Sequence, residues 1–154
     1  MSSEREMEVY RQFTTTQEKY DYFLMSVAGA AIAFTVHRTS GMSLNWSMVL
    51  LGIAVILWAT SFLAGCRRRN YIGSNLFANF NLLRVQGGEH KVTGTNLIAI
   101  EAASQGILDA MENNSNRALF WANIQLYSLI IGALFFVAWH VVSMIPEEIK
   151  ATMP

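Results

Sequence analysis

An uncharged apolar run that ends at three consecutive arginines constrains this chain more than any other feature. Residues 46–66 read WSMVLLGIAVILWATSFLAGC, and Arg67, Arg68 and Arg69 follow at once. About 21 helical residues, at 1.5 Å each, match the roughly 30 Å thickness of the hydrocarbon core of a bilayer. The run therefore predicts a membrane-spanning helix, and the arginines predict that its C-terminal end faces the cytoplasm.

The composition favours a membrane protein over a soluble one. Of the 154 residues, which correspond to one domain by length, 53% are hydrophobic and 14% are charged. Eleven basic residues balance eleven acidic residues, so no net field would attract nucleic acid, and no nucleic-acid partner is expected. The polar N-terminus does not resemble a cleavable signal peptide, so the first span is expected to act as its own insertion signal.

Two other apolar segments predict two further spans. Residues 22–37 make a short span of about 16 residues, and a turn-rich connection joins it to residues 46–66, so that residues 20–66 form a transmembrane hairpin. Residues 118–145 are long enough to cross with tilt. Pro146 is expected to end this third span and to leave a short external tail, residues 146–154.

The distribution of Lys and Arg predicts the orientation. Arg38 is the basic residue of the hairpin turn, whereas several basic residues precede the first span and follow the second. This asymmetry places the N-terminus and the segment after residue 66 in the cytoplasm. Arg67, Arg68 and Arg69 are also expected to contact anionic lipid headgroups, each contributing on the order of 1 kcal/mol.

The predicted cytoplasmic segments are helical and amphipathic. Residues 1–19 form one such segment, and the Thr15-x-x-Glu18 spacing indicates either a fresh helix start near Thr15, which we favour, or a polar turn within one long helix. Residues 67–117 form the other. Its first helix carries an apolar face suited to docking a soluble cytoplasmic partner, formed by Leu76, Phe77, Phe80 and Leu83.

Glycines and an amide define the ends of the helices in the segment 67–117. Gly87 and Gly88 are expected to stop its first helix, and Thr95 or Asn96 is expected to cap its second. Whether the second helix continues into the third span, making residues 96–145 a single helix, is left open by the sequence.

Small residues in the first span predict close helix packing. The pairs Ser26/Ala30 and Gly29/Ala33 have the small-xxx-small spacing that lets helix backbones approach in lipid. A chance occurrence is the alternative, because alanine and glycine are common in spans.

Polar side chains in and beside the spans are the remaining candidates for function. Asn123 and Gln125 either line a pore or, as we favour, hydrogen-bond across a helix interface. His140 is a further candidate for either role. It is also expected at the same level as His37, as part of a proton-linked or metal-binding pair or, more simply, as an interfacial histidine. Glu18 and Asp21 are expected either as an acidic ring at a cytoplasmic mouth or as ordinary surface carboxylates.

The motifs of catalysis and cofactor binding are missing from the sequence. It has no phosphate-binding glycine loop, no zinc spacing and no nucleophile elbow. We therefore expect no enzyme activity, no catalytic residues, no cofactor and no bound metal.

The motif QEKYDYF before a hairpin of two spans, an arginine run and a helical cytoplasmic segment resembles small membrane effectors of bacterial anti-phage systems. The resemblance covers residues 17–69, and the third span departs from the two-span layout. It implies homo-oligomerisation, membrane permeabilisation on activation and a place in the bacterial inner (plasma) membrane.

Together these features predict an all-α, multi-pass membrane protein that forms a homo-oligomeric bundle. The expected function is a regulated pore or membrane-permeabilising assembly. The alternative is a membrane anchor or assembly subunit that docks a soluble partner through its cytoplasmic amphipathic helices.

Overall fold

Three long α-helices make up the part of the chain described by a computed structural model, residues 2–42 and 45–144. They are α1 (Ser2–Thr39), α2 (Met48–Gln86) and α3 (Leu97–Met144). Because no strand occurs in these ranges, the prediction of an all-α fold is confirmed for them. α2 and α3 are long and apolar enough to cross a membrane, whereas α1 is not among such helices, so a third span stays a prediction.

The end of α2 is fixed by the predicted glycine pair. Gly88 has a positive φ of 71°, a conformation that costs glycine little. The Gly88 amide then donates to the Val85 carbonyl at 3.1 Å and the Glu89 amide donates to the Arg84 carbonyl at 2.9 Å. This pair of bonds is a Schellman cap, which satisfies the last carbonyls of the helix.

The start of α3 is fixed by Asn96, as predicted. Its side-chain Oδ1 accepts hydrogen bonds from the amides of Ile98 (3.1 Å) and Ala99 (3.3 Å), which have no partner inside the helix. From there α3 continues without a break to Met144. The second helix of the segment 67–117 therefore continues into the predicted third span, as a single helix as far as Met144. Pro146 and the tail 146–154 lie outside the described residues.

The predicted fresh start near Thr15 is wrong. α1 is continuous through this position, and the Thr15 hydroxyl donates to the Arg11 carbonyl one turn back, at 2.8 Å, instead of capping a new helix. Thr14 and Thr16 donate backwards in the same way. Since such bonds satisfy threonine inside a helix, the Thr-x-x-Glu pattern did not require a new start.

α2 is also longer than expected. The predicted span 46–66 and the amphipathic helix after it are not separate elements, because α2 runs through both as one helix. The arginine triplet therefore marks a change of composition and not an end of the helix.

The chain divides into two compact units. Unit 1 contains Met1–Gly65 and Ile124–Pro154, and unit 2 is Cys66–Asn123. In unit 1 the buried residues of α2 follow the alternating three- and four-residue spacing of a helix that packs along one seam, namely Leu51, Ala54, Trp58 and Ser61. Contacts such as Ser61 with Gln125 and Trp58 with Leu129 show that α2 and α3 run antiparallel there.

Unit 2 has a smaller buried core. Its buried hydrophobic residues are Leu82 and Val85 of α2 and Ala118 of α3, and Thr93 is buried in the connection between the helices. A hydrogen bond from Asn75 Nδ2 to Ser115 Oγ at 2.9 Å also links α2 to α3 within this unit.

Candidate functional site

A buried polar contact joins α2 to α3 in unit 1. Gln125 and Ser61 are both fully buried, and the Ser61 hydroxyl donates to the Gln125 backbone carbonyl at 2.7 Å. Serine is small enough to let the two backbones approach, and its hydroxyl then finds an acceptor on the facing helix. We call Gln125, Ser61 and the adjoining Gly65 the polar seam.

The side chain of Gln125 is held tightly but lacks hydrogen-bond partners. A Cβ added at Gly65 would lie 2.7 Å from Gln125 Nε2 and 2.7 Å from Met25 Cγ, so a larger residue here would force one of these two side chains to move. Among the described residues, neither Nε2 nor Oε1 of Gln125 has a hydrogen-bond partner. A buried polar group left unpaired costs about 1–3 kcal/mol.

A second close approach of the helices lies further along unit 1. A Cβ on Gly132 would lie 2.7 Å from Trp58 Nε1 and 3.2 Å from the Ala54 carbonyl oxygen. The Trp58 indole N–H donates to the Leu129 carbonyl at 3.3 Å, so its ring position is fixed by a hydrogen bond as well as by packing.

An aromatic cluster continues from Trp58 to all three helices. Phe136 contacts Phe34 of α1, Trp58 of α2 and Trp139 of α3, with ring centroids 6.3, 5.7 and 5.6 Å apart. Sequence reasoning missed this cluster, Gly65 and Gly132. The signal that could have found them is the alternating spacing on α2, which places Ala54, Trp58, Ser61 and Gly65 on one face.

The other polar candidates of the third span do not join the seam. Asn123 is exposed, because two helical residues turn the side chain by about 200° relative to Gln125. His140 and His37 are also exposed, and the His140 ring lies 6.4 Å from the neighbouring Trp139 ring. Over the described residues, no three His, Cys, Asp or Glu side chains come together as metal ligands.

Asp21 occupies a position that the sequence analysis did not foresee. It is only 2% exposed, on the face of α1 that also buries Leu24, Ala28 and Thr35, whereas Glu18 is exposed. Asp21 is therefore not a surface carboxylate. Asp21 is buried because α1 is continuous through this position, so the buried face of the helix, with its three- and four-residue spacing, extends back to residue 21.

The small residues predicted for helix packing lie mostly on the outer side of α1. Ser26, Ala30 and Ala33 are exposed and Gly29 is half-buried, with nothing within 4 Å of where its Cβ would be. They make no close interface with any other described residue of the chain. A close-packed interface of these residues with another copy stays a prediction.

The arginine triplet and the residues after it lie in unit 2. Arg67 is exposed, while Arg68 and Arg69 are half-buried and engaged with other groups. Tyr71 lies one turn after Arg67 on α2. The guanidinium of Arg117, on α3, lies 5.9 Å from the centroid of the Tyr71 ring, and its Nη1 donates a hydrogen bond to Tyr71 Oη at 3.5 Å. This hydrogen bond, together with the charge of Arg117, lowers the pKa of Tyr71 below its usual value.

The apolar face proposed for docking is solvent-exposed. Leu76, Phe77, Phe80 and Leu83 are each more than half exposed, from 55% to 67%, whereas Leu82 and Val85 of the same helix are buried. The Arg84 guanidinium lies over the Phe80 ring at 5.8 Å. Nothing in unit 2 covers this face within the described residues.

The comparisons with known proteins add no relative from which a role could be transferred. Neither a family model, nor a curated protein, nor a solved structure matches this chain. Functional assignment therefore depends on the polar seam, the exposed apolar surfaces and the arginine-rich region themselves.

Proposed function

We propose that this chain is a non-enzymatic, multi-pass protein of the bacterial inner membrane, with its N-terminus in the cytoplasm. Residues 22–37, 46–66 and 118–145 cross the bilayer in this proposal. Several copies assemble into a regulated pore or membrane-permeabilising structure. Its resemblance to anti-phage effectors makes defence against phage the proposed context.

The exposed surfaces of α2 and α3 support a lipid environment. Of the most apolar window in each helix, only 33% in α2 and 17% in α3 is buried within the chain. Large side chains such as Ile56, Leu134 and Val137 are more than half exposed. An exposed apolar surface of this size is typical of a protein that contacts lipid or another protein.

The unpaired amide of Gln125 is the observation that carries the proposal of a pore. In hydrocarbon, no water can hydrogen-bond a polar group, so Nε2 and Oε1 must find partners in another arrangement of the helices. We infer that the packed seam is the resting state. When α2 and α3 separate in the assembly, the amide gains water or a second copy as its partner, and the seam becomes part of the conducting surface.

The size of the seam explains why several copies are needed. Gly65 and Gly132 bring the helices so close that Met25, Gln125 and Trp58 fill the space between them. One resting chain therefore has its interior occupied by its own side chains, and a path wide enough for ions would form between copies. The exposed Ser26, Ala30 and Ala33 of α1 are the proposed contacts between those copies.

A dye- and ion-flux assay on proteoliposomes tests this function. The wild-type oligomer is expected to release contents, and Gln125→Leu is expected to reduce the release at least about tenfold, since removing an unpaired buried amide favours the packed state by about 1.4 kcal/mol or more. Asn123→Leu is the matched control, because it removes an exposed amide two residues away and should have a smaller effect.

Two results would contradict the pore. One is a purified wild-type oligomer that releases nothing, with or without cytoplasmic extract. The other is Gln125→Leu protein that releases as fast as the wild type while its thermal unfolding shows an intact fold.

The exposed face on α2 supports a second candidate, an anchor that docks a soluble cytoplasmic partner. The docking face is Leu76, Phe77, Phe80 and Leu83. Docking would be favoured by a soluble partner that copurifies with the wild type in a fixed stoichiometry and is lost from Phe77→Ser/Phe80→Ser protein. It would be favoured further if the wild type released no contents in the flux assay. Val92→Ser is the control, because Val92 is 85% exposed in unit 2 but lies outside this face.

A further inference from the structure

The Arg117 side chain of α3 contacts the Tyr71 hydroxyl group of α2 in unit 2. The Tyr71 oxygen accepts a hydrogen bond from Arg117 Nη1 at 3.5 Å. The Arg117 guanidinium also lies 5.9 Å from the Tyr71 ring centroid. Arg67 precedes Tyr71 by four residues on α2, so the two residues share one face of the helix.

The hydrogen-bonding capacity of Tyr71 determines what could bind here. A phenolic oxygen accepts two hydrogen bonds and donates one. Arg117 occupies one acceptor position of Tyr71, and the O–H of Tyr71 remains available to donate. The hydroxyl and both guanidinium groups can therefore all donate to an incoming ligand.

The charge of this cluster is not neutralised nearby. The acceptor for Arg117 Nε is the uncharged Asn113 Oδ1, at 3.4 Å, and Arg67 is exposed. Within residues 2–42 and 45–144, neither Arg67 nor Arg117 forms an ion pair with a carboxylate. Two positive charges and a hydroxyl donor favour an anion with several oxygens, and arginine pairs with phosphate through two parallel N–H···O bonds.

We propose that Arg67, Tyr71 and Arg117 form a binding site for a phosphate group, carried by the headgroup of an anionic phospholipid. The lipid source rests on the membrane placement proposed above. Tyr71 follows the uncharged run 46–66 by five residues, about 7.5 Å along a helix, and Arg117 directly precedes the apolar residues 118–145. Both positions then lie at the level of the lipid phosphates.

Lipid binding to the full-length protein in a nonionic detergent tests the site. Native mass spectrometry would measure the affinity for phosphatidylglycerol and for zwitterionic phosphatidylcholine, and calorimetry the affinity for inorganic phosphate. The wild type is expected to bind phosphatidylglycerol about tenfold more tightly than phosphatidylcholine. Arg117→Gln should weaken binding of phosphatidylglycerol about tenfold, and Tyr71→Phe about threefold, because a charged donor contributes more than a neutral one.

Arg84→Gln is the matched control. Arg84 belongs to the same unit and also lies over an aromatic ring, at 5.8 Å from Phe80, but that ring carries no hydroxyl. Its substitution should leave binding of phosphatidylglycerol unchanged. If the circular dichroism of Arg117→Gln protein shows a loss of helix, the Arg67→Gln variant replaces it, because Arg67 is exposed. Its binding of phosphatidylglycerol is then expected to be weaker than that of the wild type.

Each other outcome overturns part or all of the proposal. Equal binding of phosphatidylglycerol by the wild type and the Arg67→Gln/Arg117→Gln protein would overturn the site. Binding of inorganic phosphate that depends on Arg117, without preference for phosphatidylglycerol, would overturn the lipid source. Since the calorimetric measurement needs no bilayer, the phosphate site can stand even if flux measurements reject the pore.

Discussion

Unit 1 and unit 2 are built from the same long helices but hold them together differently. In unit 1, the backbone at Gly65 and Gly132 lies against bulky side chains, and the hydrogen bonds that link α2 to α3 are buried or part-buried. In unit 2, the links between α2 and α3 are exposed, namely Asn75 to Ser115 and Arg117 to Tyr71. The first pattern suits a solvent that cannot hydrogen-bond, and the second suits water.

Both units leave contacts unmet among the described residues. Unit 1 leaves the amide of Gln125 unpaired and large apolar side chains such as Ile56 exposed, and unit 2 leaves the docking face uncovered and three buried polar atoms without a hydrogen-bond partner, namely Asn75 Oδ1, Thr93 Oγ1 and Ser104 Oγ. Lipid would cover the exposed apolar side chains of unit 1, water or a second copy would hydrogen-bond the amide of Gln125, and a soluble partner would cover the docking face of unit 2.

The largest expected effect comes from filling the close approach at Gly132. Gly132→Val would place new carbon atoms against Trp58 and the Ala54 carbonyl, which is backbone and cannot move aside cheaply. Overpacking of this kind costs about 1–3 kcal/mol of the free energy of unfolding. Denaturation in micelles, followed by tryptophan fluorescence, would measure the loss.

The same substitution at Gly52 is the control, because nothing lies within 4 Å of the Cβ position there. Gly52→Val protein should unfold close to the wild type. Equal stability of the two valine variants would mean that the tight seam of unit 1 does not form.

A smaller effect is expected from removing one hydrogen bond in each unit. Ser61→Ala deletes the buried donor to the Gln125 carbonyl and should cost about 1 kcal/mol. Ser115→Ala deletes the exposed acceptor of Asn75, which water can replace, so its cost should be at most about half as large. A larger loss of unfolding free energy in Ser115→Ala protein than in Ser61→Ala protein, measured in the same denaturation assay, would contradict this difference between the units.

The smallest effect is the pH response of Tyr71. The hydrogen bond from Arg117 and its charge favour the phenolate and lower the pKa of Tyr71. Because the folded pKa lies below the unfolded one, this contribution to stability is present above the unfolded pKa and is lost as pH falls through the folded pKa. The difference in ultraviolet absorbance between wild-type and Tyr71→Phe protein should titrate below pH 10.

In Arg117→Gln protein, the same titration should move back towards the ordinary tyrosine value. An unchanged midpoint in that variant would show that Arg117 does not act on Tyr71 in solution. Arg84→Gln protein provides the reference, as its guanidinium contacts Phe80 instead.

Local signals in the sequence predicted the ends of the helices well. The Gly87-Gly88 stop and the Asn96 cap follow from backbone chemistry that needs only a few neighbouring residues. The Thr15 start failed because a threonine hydroxyl can bond to the preceding turn as easily as it can cap a new one. The sequence alone does not decide between these two bonds.

Only the Gln125 part of the polar seam could be predicted from the sequence. Gln125 was expected at a helix interface or a pore, but Asn123 was grouped with it although helical geometry turns the two amides apart. The role of Gly65 and Gly132 depends on which residue of another helix lies opposite, and Met25 and Trp58 are tens of residues away in the sequence. Such pairings are set by the packing of whole helices and not by a local pattern.

Spin labelling in liposomes tests the central claim, that lipid surrounds the outer faces of unit 1. In a Cys66→Ser background, single labels at Ile56, Val137 and Glu112 would report collisions with oxygen, which concentrates in lipid, and with a water-soluble nickel complex. The account predicts that Ile56 and Val137 collide mainly with oxygen and Glu112 mainly with nickel. Nickel collisions at Ile56 and Val137 as frequent as those at Glu112 would contradict it.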